Sequence, residues 1–443
     1  MSTSHVSDMA DMVSLGDFFY HNPFNLKWLV VILSNMADII TDQISEPLEH
    51  RLGRSAERVR EALRAVVNEV PVRVQKPSEF QRVLKLDRSL SSRILRALEY
   101  RDPLASLHRM PGPHGIRLLL RAAAKYTEHK ELITRAEKAL TELEHLVISE
   151  VGDWKDLSAA LCGWLPDVRE PFETANRQAA FKAMSNVRGI SAETELSITL
   201  MHPNETDPAW IDRACITGLC RMRRLRAGAP MGLLHGHSIS PPTGRQRLSL
   251  EGQPIDHDHG PGLLKEFSTS PTPKFEVEVD GDTVHYLLQG SGVGLNSMVD
   301  LLFADITRSR YPAHSETRKQ PASPGAVIDV PVKTLIVDVL VHEDVWKGVE
   351  PELRMYDTAG RGLASPTDAS RRLDRRDVLE SIQNMGTRTS GFRTKEVARY
   401  VDMVQHVCDK LGWDSSKFRG YRCRVEYPVY GYQVAVIFEP PTL

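Results

Sequence analysis

The stretch Pro77–Tyr100, PSEFQRVLKLDRSLSSRILRALEY, decides how the N-terminal half is read. A proline suits the first turn of a helix, and Phe80, Val83 and Leu84 then share one face, so a first short helix starts at Pro77. Lys85-Leu86-Asp87 forms a turn. Asp87 has the side chain to cap a second helix, in which Leu90, Ile94, Ala97 and Leu98 fall within one arc when 100° is added per residue. The opposite arc collects Arg88, Ser89, Ser92, Arg93, Arg96 and Glu99. Guanidiniums offer forked donors for guanine edges and phosphates, and serines are small enough to let a backbone approach, which is what a helix in a DNA major groove requires.

Upstream, Val59, Leu63, Val66, Val67 and Val70 recur at helical spacing and predict a supporting helix over Ser55–Val70, ended by Pro71. With it, residues 52–100 resemble the helix-turn-helix of winged-helix bacterial transcription regulators. The resemblance implies a recognition helix whose Arg88, Ser89, Ser92, Arg93 and Arg96 face the groove, with Arg73, Lys76, Arg82 and Lys85 on flanking phosphates. Such regulators often carry Gly where this chain has Lys85. A lysine there must accept a left-handed conformation at a cost of about 1 kcal/mol, or the turn has another shape. No β-wing is legible after Tyr100, because DPLASLHRMPGPHG reads as a loop broken by proline and glycine.

Charge points the same way. Arg51 to Lys130 holds 18 Lys and Arg against 8 Asp and Glu, whereas the whole chain of 443 residues carries a net charge of −2. A near-neutral protein that concentrates positive charge on one region has the electrostatic footprint of phosphate binding. The competing reading is two packed helices with a solvated basic face.

The five cysteines are odd in number and form no C-x-x-C pair, which argues against a disulfide framework and a zinc knuckle and for a reducing compartment. The N-terminus lacks a basic region followed by an apolar one, and Trp28–Leu33 is too short to cross a bilayer, so a cytoplasmic protein with no membrane partner is expected. Residues 1–45 are nonetheless too apolar for a free tail and suit core packing or oligomerisation.

A helix-turn-helix domain is therefore expected over 46–126, followed by a mixed region over 127–226. Its long helix, Thr127–Glu150, carries Ile133, Ala136, Leu140, Leu143 and Val147 as a short heptad seam. That seam suits a dimer helix, as symmetric DNA readers need, or a helix packed within its own domain. Glu195–Met201 reads as a strand and Pro208–Arg226 as a helix with a basic end. Residues 227–274, rich in Gly, Pro, Ser and His, read as a linker or long loop and the domain boundary. Beyond it, 275–443 reads as an α+β domain: a hairpin about Asp280-Gly281-Asp282, a helix at Leu295–Ile306, a strand within Val327–Val341, helices near Arg375–Met385 and Thr394–Leu411, and an antiparallel pair about Pro428.

Catalytic and metal signatures are sparse. His235, His237, His257 and His259, with Asp256 and Asp258, are ligand types, but alternate spacing in a loop favours solvated histidines. Gly290–Gly294 lacks both the full dinucleotide-binding spacing and a following Lys-Ser/Thr, so it reads as a tight turn. Asp338, His342, Glu343 and Asp344 gather at a strand end as acid or base groups. No cofactor is assigned. The expectation is a mixed fold, an α-helical N-terminal half followed by an α+β domain, serving a dimeric, sequence-specific regulator of transcription that binds double-stranded DNA. Its C-terminal domain would sense a small molecule or contact a protein. The alternatives are an enzyme active in the C-terminal domain and an assembly protein using the helix pair for protein contacts.

Overall fold

The computed structural model describes residues 46–71, 77–238, 246–280, 283–290, 292–315 and 321–442. The apolar segment 1–45 and the cations Arg73 and Lys76 lie outside them, as do the side chains of His235 and His237. The chain divides into two compact units between Arg169 and Glu170, ahead of the boundary expected at 227–274.

The first unit is helical: α1 (Leu48–Glu69), α2 (Pro77–Leu84), α3 (Arg88–Glu99), α4 (Pro103–Arg109), α5 (Pro113–Ala123), α6 (Lys130–Glu150) and α7 (Trp154–Trp164). Its core gathers on α1, where Leu52, Ala56, Val59, Leu63, Val66 and Val67 are buried. Burying each of these leucines and valines stabilises the unit by about 1.5–3 kcal/mol. The seam of α6 joins this core: Ala136, Leu140, Leu143 and Val147 are buried within the unit and Ile133 packs against it. Exposed ion pairs, Arg51 with Glu150 at 2.8 Å and Arg58 with Glu142 at 3.0 Å, line the same α1–α6 contact.

The segment after Tyr100, expected as a loop, instead contains α4 and the start of α5. Pro103 and Pro113 occupy first-turn positions where a missing N–H costs nothing, and the Asp102 carboxylate accepts from the amides of Leu104 at 2.7 Å and Ala105 at 3.1 Å. These prolines begin helices rather than break a loop.

The second unit is sheet-rich. Its strands are β1 (Ile190–Pro203), β2 (Trp210–Arg224), β3 (Gly232–Ser238), β4 (Phe275–Asp280), β5 (Thr283–Leu288), β6 (Val299–Pro312), β7 (Gly325–Val327), β8 (Val332–His342), β9 (Glu352–Asp357), β10 (Arg375–Arg376), β11 (Ile382–Gly386), β12 (Phe418–Glu426) and β13 (Tyr432–Ile437). A helix, α8 (Pro166–Arg188), leads into β1, and α9 (Tyr400–Leu411) precedes β12. Six strands form one sheet in the order β11-β12-β8-β1-β2-β6, with β1 parallel to β8 and the other neighbours antiparallel. A four-stranded sheet runs β10-β9-β13-β7, and a three-stranded one runs β3-β5-β4. The expected hairpin is present as β4–β5, with Asp280 opposite Thr283.

The two faces of the six-stranded sheet are covered differently. On one, Leu196, Ile198, Ala214, Ile216, Ala304 and Ile336 pack with Met403, Val404 and Val407 of α9. On the other, Val337, Val339, Tyr421 and Cys423 of β8 and β12 pack with Met355, Val434 and Val436 of the four-stranded sheet.

Several expected elements differ. Pro208–Arg226 and Leu295–Ile306 are largely strand, as β2 and β6, rather than helix. A strand buried on both faces carries apolar residues at both parities, which mimics helical spacing. Residues 227–274 are no free linker, because Met231, Ile255 and Leu264 are buried there and Leu248 and Leu263 bridge to β6. Arg375–Met385 gives short strands instead of a helix. The chain also changes sheet about Pro428, so β12 and β13 belong to different sheets and do not pair.

Candidate nucleic-acid interface and a polar cavity

Three contacts fix the orientation of α3. At its start the Asp87 side chain accepts from the Leu90 amide at 3.0 Å. The Ser89 hydroxyl also donates to this carboxylate, and these hydrogen bonds, the hydroxyl's first, hold Asp87 below the usual carboxylate range. At its end the guanidiniums of Arg60 and Arg64 on α1 donate to the carbonyls of Tyr100 and Leu98, groups that a helix terminus leaves open. At its side Gly115 of α5 leaves room for Leu90, since a Cβ there would stand 2.9 Å from Leu90 Cδ1. Ile94, Leu95, Ala97 and Leu98 point into the core, and Ser91 is buried with them.

Of the two turn shapes considered for Lys85, the structure has the left-handed one, with φ +54°. Arg82, Lys85, Arg88, Ser89, Arg93 and Arg96 are exposed, and Ser92 is half-buried. Their environments differ. Arg93 donates to the Met110 carbonyl at 2.9 Å, which holds it along the unit's own surface, and Ser89 is engaged by Asp87. Arg88 and Arg96 stand outside the ion pairs that tie Arg51, Arg58 and Arg117 to glutamates. Three of the cations counted in the sequence are therefore paired with glutamates of α6, and the outward face of the helix pair keeps cations outside those pairs.

The second unit carries a cavity of about 760 Å³. It opens over the half of the six-stranded sheet made by β1, β2 and β6. Register places Ser197 opposite Thr217 and Thr199 opposite Cys215, while Cys215 faces Asp305 and Arg213 faces Thr307 on the next strand. Side chains alternate along a strand, so these residues share one face, whereas Ala214 and Ile216 turn to the α9 side. Ser197, Thr199, Cys215, Asp305 and Thr307 are all buried. Arg213 reaches Asp305 at 3.5 Å and Thr307 at 3.4 Å, Arg247 pairs with the same carboxylate, and Arg310 lies on the wall. One side is closed by β7, where the Gly325 carbonyl accepts from Ser197 Oγ at 3.0 Å. An added Cβ at Gly325 would meet the Val434 carbonyl oxygen at 1.9 Å, so only glycine lets β7 approach this closely. Burial pushes the Cys215 thiol up and Arg213 only partly offsets it, so Cys215 is not a ready nucleophile.

Sequence reading missed this cavity. The one legible signal was the odd-numbered series Arg213, Cys215, Thr217 within an otherwise apolar run, hidden by reading that run as a helix. Of the basic end expected there, Arg221 and Arg226 are exposed and Arg223 is half-buried. Arg224 is in fact buried in β2 and donates to the carbonyls of Ala229 at 3.0 Å and Leu288 at 2.6 Å.

The other sequence candidates resolve as local pairs. His259 lies 2.8 Å from Asp256 and His257 lies 3.3 Å from Asp258. Asp338 is buried and engaged by Arg422 and Tyr400, away from the acid-base role considered for it. His342, Glu343 and Asp344 do bring potential ligand atoms within 4.8 Å of one another. Yet Asp344 pairs with Lys347 at 3.0 Å and Glu343 with Lys417 at 3.6 Å, which leaves the cluster balanced by lysines. Among the described residues, no helix is long and apolar enough to cross a membrane.

No family model matches the chain, and no curated protein matches it in sequence. Among solved structures, a chain described as a "putative protease" from Parabacteroides distasonis ATCC 8503 matches over 57% of this chain and 40% of that one, at 9% identity and a TM-score of 0.26. A likeness that slight carries no argument about fold or chemistry.

Proposed function

We propose that this chain is a sequence-specific, DNA-binding regulator of transcription that docks α3 in the major groove. The observation that carries the reading is the α2–turn–α3 geometry: a left-handed Lys85, an Asp87 cap, and a second helix whose outward face presents Arg88, Arg93 and Arg96. Arg88 and Arg96 supply forked donors for base edges or phosphates. Arg93, tethered to Met110, has donors left for a phosphate at the groove edge. Arg82 and Lys85 flank the helix on the phosphate side. The reading includes two copies on a symmetric site, each placing one α3 in successive turns of the groove. Because the α6 seam is spent on the unit's own core, pairing would use another surface.

The test is binding of the full chain to mixed-sequence duplex DNA at several salt concentrations. Phosphate contact predicts a linear fall of log affinity with log salt, with a slope of about 0.9 per phosphate neutralised. Arg88→Ala together with Arg96→Ala is expected to weaken binding and, to the extent that these residues hold phosphates, to flatten the slope. Unchanged affinity in that double variant would remove α3 from the interface.

A further inference from the structure

A sheet face inside a folded unit is ordinarily apolar, because burial of apolar area is what holds layers together. The six-stranded sheet obeys this over β8 and β12, where valines meet the four-stranded sheet. It departs from it over β1, β2 and β6, where the same face carries Ser197, Thr199, Thr217, Arg213 and Asp305 and opens into the cavity. Buried hydroxyls and a guanidinium give up apolar stabilisation, so their concentration on one wall points to a ligand that needs donors.

The donors favour an anion. Arg213 and Arg247 both reach a single carboxylate, Asp305, and Arg310 contributes a third guanidinium to the wall. Asp305 and Thr307 take one outer nitrogen of Arg213, Nη2, at 3.5 Å and 3.4 Å, and Tyr311 is a further partner, so the guanidinium on the cavity wall keeps donors suited to the oxygens of a carboxylate or phosphate. Ser197 donates its proton to Gly325, whereas Thr199 has only the weak 3.8 Å contact with Cys215 Sγ, in which either group can donate, so its hydroxyl can turn to a second oxygen. The cavity volume is that of a small-molecule site rather than of a macromolecular groove.

We infer that this cavity binds a small molecule bearing a phosphate or carboxylate group, held by Arg213 with Thr199 beside it. The inference goes beyond the DNA-binding reading and does not depend on it, because it rests on residues of the second unit alone.

Isothermal titration calorimetry on the full chain, with pyrophosphate and citrate as probes and glucose as the uncharged control, tests it. The two anions distinguish a phosphate site from a carboxylate site. Saturable binding of at least one at millimolar concentration or below is expected, with none for glucose. Arg213→Met should weaken it by roughly tenfold to a hundredfold, the usual worth of a hydrogen bond to a charged group. Thr199→Val, close in shape and neutral in charge, should weaken it severalfold with the fold intact, and carries the test if Arg213→Met fails to fold. No saturable binding of either anion overturns the inference. So does binding that Thr199→Val, and Arg213→Met wherever it folds, leave undiminished. DNA affinity is not read in this experiment, so either reading can fail alone.

Discussion

Arg422 on β12 grips Asp338 on β8 with two parallel hydrogen bonds, Nε to Oδ1 at 2.9 Å and Nη2 to Oδ2 at 2.6 Å, across directly paired positions of the central sheet. Tyr400 of α9 donates its hydroxyl to the same carboxylate, and Arg422 also reaches the carbonyls of Phe392 at 2.7 Å and Arg393 at 3.0 Å. Asp338 is fully buried. The pair therefore joins the sheet, α9 and the segment before α9 at one point.

Removing one partner strands the other. Asp338→Ala is expected to cost about 3–5 kcal/mol in urea unfolding, because Arg422 keeps its charge in a dry site. Asp338→Leu combined with Arg422→Met and Tyr400→Phe should recover much of that loss, since the apolar set leaves neither a buried charge nor the Tyr400 hydroxyl without a partner. A single variant that unfolds at the same urea concentration as the parent would show that the pair contributes nothing.

Lys85 provides a second stability test, tied to the proposed interface. Its φ of +54° places a side-chain-bearing residue where glycine rests without strain. Lys85→Gly should stabilise the protein by about 0.5–1 kcal/mol, the relief of strain less the greater freedom of glycine in the unfolded chain. If Lys85 also sits on a phosphate, the same variant should reduce the salt slope of DNA binding by about one unit. Destabilisation by glycine would mean that the lysine side chain earns its place by packing.

The helix pair was legible because its determinants are local. The cap, the turn and the apolar arc of α3 all lie within Pro77–Tyr100, and the structure adds only Leu95 and Ser91 to the buried face. The sheet was harder to read for the opposite reason. In β2 and β6, residues of both parities are buried, so the period of two that marks a strand is lost. The prolines at 103 and 113 look like breakers in the sequence yet stand at first-turn positions. The cavity was illegible for a third reason. Thr199, Arg213, Arg247 and Asp305 come from three strands and a connecting segment, and only strand register brings them together. Asp338 was visible as an acidic residue near a strand end, but its partner lies 84 residues away, so its burial could not be anticipated.

Two partly buried histidines, His202 at the end of β1 and His342 at the end of β8, are expected to contribute to the response to acid. His202 stacks on Trp413 with ring centroids 4.6 Å apart and meets His342 edge-on at 4.7 Å. Burial lowers both imidazoles below their usual range, and for His342 the neighbouring His202 adds to the effect. The acidic neighbours Glu205 and Asp212 of His202, and Asp344 and Glu343 of His342, oppose the shift without reversing it. The neutral ring of His342 also accepts from the Asp344 amide at 3.2 Å through Nδ1, a bond that protonation there would remove. A base whose folded value is depressed binds fewer protons when folded than when unfolded. Its contribution to stability is therefore complete above the unfolded value of about 6.5 and is lost as pH falls through the folded value. Urea midpoints should fall between about pH 7.5 and pH 5, and His202→Phe, which keeps an aromatic ring against Trp413, should make that fall shallower. An equal fall in parent and variant would place the acid sensitivity elsewhere, on the carboxylates rather than on this stacked pair.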